Sequence, residues 1–276
     1  MGADPILADC KLGQRLERAE GTACAEFVEQ HARMSRDSSA AWIEVAGAYA
    51  MFDGVGSPIT QSFGLGMFEP ATDAHLTELE FFFRQHGSPP FHEVSPLAGK
   101  SLALLLSARG YEPFELTNVL FLPLRSHRGS EPVNNPAMRV RVAGLEDIEN
   151  WAEVSVRGWS EFEEYAGMML DLARIGAARP GAVSFLAELN SVPVATGSLS
   201  IYDGVALLAG ASTIPEARNQ GAQRALLDAR LAHAREAGCD LGMMCAEPGS
   251  ASQRNAERHG FRIAYTRMKW RLRETA

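Results

Sequence analysis

Residues 213–227 read T-I-P-E-A-R-N-Q-G-A-Q-R-A-L-L. A strand-forming run stops at Pro215, a polar turn follows, and a helix rich in alanine and leucine starts directly after Gly221. This order is a strand-to-helix junction, either an ordinary connection or one built to hold a ligand. Upstream, residues 205–214 are small and apolar on both faces, which predicts a buried central strand. Downstream, Ala225, Leu226, Ala229, Ala232 and Ala234 recur at helical spacing, and the helix is expected to run over 222–237 and stop at Gly238. The amides of a helix's first turn have no carbonyl four residues back, and the helix dipole adds about half a positive charge there, so the junction suits a pyrophosphate. Gly221 allows an oxygen-rich ligand to reach the main chain, and Arg218 and Arg224 are placed for charge-assisted contacts.

Polar, glycine and proline residues at 125–138 separate two apolar stretches and predict a linker. Beyond it the expected order is a helix at 145–159, strands at 182–189 and 194–202 joined through Asn190-Ser191-Val192-Pro193, and the strand and helix already named. A short strand at 240–246, a helix at 250–259 and a last strand at 261–272 complete it. The first half carries a fainter version, with strands at 40–50 and 59–68 and helices at 73–86 and 97–109. Its end, A-R-G-Y-E-P-F from Ala108, parallels E-R-H-G-F-R-I from Glu257, and Gly110 and Gly260 stand 150 residues apart. Two readings stand: a duplicated domain, one copy at 1–124 and one at 139–276, or the coincidence of a common helix–glycine–aromatic–strand junction.

The 276 residues, 46% hydrophobic and 22% charged, have the profile of a globular protein. A net charge of −8 and a pI near 5.4 argue against nucleic acid and anionic lipid as partners and favour a cationic substrate such as a primary amine. Cys10, Cys24, Cys239 and Cys245 are widely spaced without a CxxC pair, so no metal site is expected. With no signal-peptide core at residues 1–18 and no window of about 18 apolar residues, the sequence predicts a cytoplasmic protein with reduced thiols.

A strand, a proline, Arg218 and then Gly221 resemble the coenzyme A motif of the GCN5-related N-acetyltransferases, Arg/Gln-x-x-Gly-x-Gly/Ala. The helix that ends at Gly260-Phe261 before a strand resembles that family's later signature. Gln223 departs from the pattern, standing where glycine or alanine is usual. The likeness spans about residues 139–272. It implies an α+β fold with a mixed sheet, present as two such domains in tandem. The first copy is degenerate: nothing like Arg-x-x-Gly-x-Gly follows Pro70, and Glu69 and Asp73 would repel a pyrophosphate.

The resemblance further implies acetyl-CoA as co-substrate, held by Thr213, Ile214, Arg218, Asn219, Gln220, Gly221, Ala222, Gln223 and Arg224. Ser252 and Asn255 would reach its pantetheine arm, and no metal is needed. The reaction implied is direct transfer of the acetyl group to a primary amine of a small molecule or peptide, with the oxyanion held by a backbone N–H near Ile214. Relatives often carry a general-acid tyrosine four residues before the Gly-Phe pair, where this chain has Ala256. Tyr265 is the candidate substitute, and Glu188 and Glu247 are the candidate bases; packing and surface roles stand beside each. Cys245 reads as a small buried hydrophobe, and His233 and His259 as exposed helix residues. Trp151, Trp159 and Phe162 either select the acceptor or pack. The first half either closes the acceptor site or forms a homodimer contact. Two other functions compete with catalysis, a coenzyme A-binding sensor and a purely structural pairing module.

Overall fold

The side chain of Asp9 accepts the Leu12 amide and opens α1 (Cys10–Met34), a helix the sequence did not announce. Leu12, Leu16, Ala19, Ala23 and Phe27 make its buried stripe, but Glu17 lies on the same packed surface and interrupts the apolar pattern. The computed structural model describes residues 6–127, 129, 135–159 and 166–273. Phe162 and part of the stretch at 125–138 fall outside the described residues.

The predicted strand at 40–50 is two, β1 (Ala41–Val45) and β2 (Ala48–Phe52), turning at Ala46 and Gly47. The strand expected at 59–68 shortens to β3 (Gln61–Phe63), because Gly64 and Gly66 both take positive φ. The helix at 73–86 forms as α2 (Asp73–Gln85), capped by the Thr72 side chain. Then come β4 (Phe91–Val94), α3 (Lys100–Ala108) and the long β5 (Tyr111–Pro123). The later chain supplies β6 (Met138–Val142), α4 (Ile148–Arg157), α5 (Ala166–Ala178), β7 (Ala182–Leu189), β8 (Val192–Tyr202) and β9 (Val205–Thr213). It ends with α6 (Ala222–Glu236), β10 (Leu241–Ala246), α7 (Ala251–Arg258) and β11 (Arg262–Leu272). Of these, α5, β4 and β6 were not foreseen.

The chain divides into two units. The first holds residues up to Phe121, Cys245–Glu257 and the chain from Phe261 on; the second holds Leu122–Met244 and Arg258–Gly260. A cut at 125–138 divides the chain differently, because β11 finds its partners on β4 and β5. The first unit's sheet runs β1-β2-β3-β4-β11-β5, with β3 and β4 parallel and the other pairs antiparallel. The second unit's sheet runs β10-β9-β8-β7-β6, parallel only between β10 and β9.

In the first unit α2 and α3 bury Leu76, Leu79, Phe83 and Leu106 with Val45, Ala50 and Tyr111, each large side chain contributing roughly 2 kcal/mol of apolar transfer. Beside that core lies a one-way chain of hydrogen bonds. Tyr111 donates to Glu80 at 3.2 Å, so its oxygen accepts from Nε2–H of His92 at 3.2 Å, leaving Nδ1 to accept from Ser62 at 2.7 Å. Arg84 and Arg109 hold Glu80 from outside. The chain requires a neutral imidazole, and burial lowers the His92 pKa to about 3.

A second polar cluster carries more charge. Arg267, fully buried, donates to Glu17 at 2.8 Å and Glu20 at 2.6 Å, and the guanidinium sits 5.0 Å from the centre of the Phe63 ring. Burial alone would lower the Arg267 pKa, and the two carboxylates more than reverse this. Glu93 is buried on β4, with Oε2 lacking a protein partner, as does Nη2 of Arg267. Burial raises the Glu93 pKa to about 7, opposed by Arg267 and reinforced by Glu20.

These shifts set opposite pH windows. A Glu93 pKa above its unfolded value favours the fold fully below pH 4.5, and that gain disappears as pH rises through 7. His92, shifted down, favours the fold above pH 6.5 and loses that contribution as pH falls toward 3. Glu93→Gln is therefore expected to gain on the wild type by roughly 3 kcal/mol between pH 4.5 and 8 in urea titrations. Parallel stability curves for the two proteins across that range would contradict it.

Candidate functional site

Strand β9 is the backbone of the site. Its pairing with β10 covers Val205, Ala206 and Leu207, while the strand continues to Thr213. Residues Val205 to Leu208 are buried, Ala209 and Gly210 are exposed and Ser212 is buried again, so the strand expected to be buried throughout is open at its middle. The opening coincides with a change of register against β8. Thr196 pairs with Ser212 and Ser198 with Ala209, so Gly210 and Ala211 together oppose Gly197 and form a β-bulge. Gly210 takes φ +60°, a left-handed value that glycine adopts at little cost. The sequence reading missed this bulge, although a lone glycine inside a strand pattern is the signal that could have found it.

Several contacts fix the bulge. Arg230 on α6 is buried and donates to the carbonyls of Leu226, Ser198 and Ala209. Thr196 bonds Ser212 at 3.0 Å, and the buried Trp151, donating to the Phe185 carbonyl, packs beside Gly210. Trp151 thus serves packing, whereas Trp159 is 43% exposed. At Gly158, a Cβ would come within 2.6 Å of the Ser212 side chain and 2.9 Å of the Thr213 amide, so α4 ends in close contact with β9.

After Thr213 the chain makes a single 3₁₀ turn, Pro215–Ala217, and reaches α6 through Asn219 at φ +62° and Gly221 at φ +92°. Gly221 is the N-cap and brings no side chain to cover the helix mouth. The first helical bond runs from the Ala225 amide to the Gly221 carbonyl, so the amides of Ala222, Gln223 and Arg224 precede the ladder. Three side chains brace the turn: Arg218 donates to the Gly158 carbonyl at 3.1 Å, Gln223 to Thr213 Oγ1 at 2.7 Å, and Gln220 to the Glu216 carbonyl. Asn135 donates to the Gln220 carbonyl. Arg218 and Gln223, expected as ligand contacts, also brace the turn.

The oxyanion donor expected near Ile214 is not the Ile214 amide itself, which is held in the sheet. That amide donates to the Val194 carbonyl at 3.0 Å, because the β8–β9 ladder extends one residue past Thr213. The backbone group that leaves the ladder lies earlier, at Gly210–Ala211.

Two of the three catalytic candidates have partners of their own. Tyr265 is buried in the first unit and gives its hydroxyl proton to Glu17 at 2.8 Å, with burial raising its pKa well above the ordinary value. Glu188 accepts from Arg141 on β6 at 2.8 Å. Glu247 is exposed and borders an open groove on the first unit with Phe114, Leu116 and Met268. Ser252, exposed, and Asn255, half-buried, are on α7 in the first unit. The Cys245 thiol donates to Glu20 at 3.2 Å and burial raises its pKa, which keeps it protonated. His259 is buried, contrary to expectation, and half-buried His233 packs edge-on against Phe185. Among the described residues no group of three metal-binding side chains occurs, and no helix is long and apolar enough to cross a membrane.

Residues 145–261 match the acetyltransferase (GNAT) family. No curated protein sequence matches the chain. Among solved structures, a GCN5-related N-acetyltransferase from Kribbella flavida is 17% identical with a TM-score of 0.69, covering 96% of each chain. A tandem GNAT protein from the clavulanic acid biosynthesis pathway is 13% identical with a TM-score of 0.58, covering 99% of this chain and 98% of its own. A GCN5-related N-acetyltransferase from Sphaerobacter thermophilus is 17% identical with a TM-score of 0.54, covering 83% and 78%. The chain thus has the α+β fold of these proteins, and its likeness to the tandem protein runs over nearly the whole length.

Proposed function

We propose that this chain, residues 145–261 of which form a GNAT-family domain, moves an acetyl group from acetyl-CoA to a primary amine of a small molecule or peptide by direct transfer. The family match supports acyl transfer as the class of chemistry. One observation supports the cofactor: a helix whose first amides precede its ladder follows, after one 3₁₀ turn, a strand exposed at Ala209 and Gly210. The residues fit such a group. The amides of Ala222, Gln223 and Arg224 would hold its diphosphate, helped by the α6 dipole, and Gly221 keeps side-chain bulk away from them.

Bound there, acetyl-CoA supplies an activated thioester. The chain's own part is to hold it along residues 209–213, where the bulge frees a backbone group from the ladder. The amine arrives protonated at neutral pH, and a negative protein attracts it without selecting it. None of Tyr265, Glu188 and Glu247 enters the proposal as acid or base, since the first two are committed to Glu17 and Arg141.

A second reading has its own support. Ala256, fully buried, stands where many relatives place the general-acid tyrosine, and a chain that binds without turnover would be a coenzyme A sensor. Acetyl-CoA at a hundred times its Kd is expected to stabilise the protein by about 2.7 kcal/mol, and one member of a broad amine panel is expected to release free thiol. Binding without thiol release across the panel would favour the sensor; the absence of any thermal shift at millimolar acetyl-CoA would refute both readings.

A further inference from the structure

Arg230 is a charge buried without an obvious reason. Its residue is 4% exposed and, among the described residues, no carboxylate answers it; burial lowers its pKa to about 10. Burying a guanidinium costs several kcal/mol, and a methionine or leucine would fill the space without that cost. What the arginine does that an apolar side chain would not is donate to three carbonyls at once. One belongs to its own helix, Leu226. The other two, Ser198 and Ala209, are each 3.3 Å from Nη1 and form a cross-strand pair at the edge of the bulge. Beneath the guanidinium lies Gly197, where a Cβ would come within 3.0 Å of the carbon at its centre; this is the residue that the two-residue bulge opposes.

The guanidinium therefore links α6, whose mouth is the amide-lined turn, to the bulge on β9. We infer that Arg230 is a positioning residue that holds the β9 bulge, and with it the receptor for the acetyl group, at a fixed offset from the α6 mouth. This inference rests on the proposed acetyl-CoA reading. The two ends of one ligand are then served by a single rigid piece: diphosphate by the first turn of α6, acetyl carbonyl by the bulge, with Arg230 setting the offset between them. The planar fork matters, because it reaches the two strand carbonyls and the helix carbonyl together, and an ammonium group has no such geometry.

The test needs no acceptor amine. Calorimetry compares acetyl-CoA with free coenzyme A, two ligands that share the diphosphate and differ at the thioester end. One neutral hydrogen bond to the acetyl carbonyl is worth roughly two- to tenfold in affinity, so the wild type is expected to prefer acetyl-CoA by that factor. Arg230→Met is expected to bind free coenzyme A within about threefold of wild type and to lose the preference. Arg230→Lys, which keeps a cation and much of the volume, is expected to fold like the wild type and to show the same loss, which guards against a methionine variant that does not fold. A variant that keeps the preference, or a wild type that binds coenzyme A without preferring the acetylated form, would overturn the inference and leave the coenzyme site standing. Equal loss of both affinities would reduce Arg230 to a structural role. A wild type that binds neither ligand would remove the acetyl-CoA reading itself, and the inference with it.

Discussion

Gly221→Glu is expected to weaken acetyl-CoA binding at least a hundredfold, about 2.7 kcal/mol, while the protein stays folded. Two effects add. A side chain at φ +92° pays roughly 1–2 kcal/mol of backbone strain, and a carboxylate is placed beside the amides that would otherwise meet the diphosphate. Strain alone lowers Tm by only a few degrees in a chain of this size. Gly221→Ala separates the effects, since it carries the strain without the charge, and its affinity is expected to fall far less than that of the glutamate variant. Calorimetry in which Gly221→Glu binds as tightly as wild type would end the assignment of this helix mouth as the coenzyme site.

Arg267→Met is expected to cost about 3–5 kcal/mol of stability at pH 8. The side chain it removes is fully buried between Glu17 and Glu20, and the Glu17 side chain is buried as completely. Without the guanidinium these carboxylates ionise against a dry surrounding. An uncompensated buried carboxylate charge costs the fold only while the group is ionised, so the cost is greatest at high pH. The deficit should therefore shrink between pH 8 and pH 5 in urea melts. A deficit independent of pH would mean that packing against Phe63, not charge, is what Arg267 supplies.

What the sequence disclosed about this fold was mostly local. The strand, proline, turn and helix at 205–237 were legible because each signal, Pro215, Gly221 and the spaced alanines, acts within a few residues. Other elements escaped for physical reasons. In α1 a glutamate occupies a buried face, because Arg267 reaches it from 250 residues away, and a stripe containing a buried carboxylate does not read as apolar. As an edge strand, β6 carries Arg139 and Arg141 and buries little. The same limit governed the chemistry. The helix mouth was visible, but the commitment of Tyr265 to Glu17 was not, since nothing near Tyr265 in sequence announces its partner. The bulge had a signal in Gly210, an isolated glycine in a strand, and only its ladder against β8 shows what it opens.

The place of β11 between β4 and β5 has a temporal consequence. A ribosome delivers β4 and β5 early, yet their common neighbour emerges only after residues 124–261 have been made. During that interval the nascent first unit presents two unmatched strand borders together with the carboxylates that await Arg267. Its completion therefore waits for residues 262–272, and a chain cut before Arg262 would leave these strand borders unpaired, however intact its own helices.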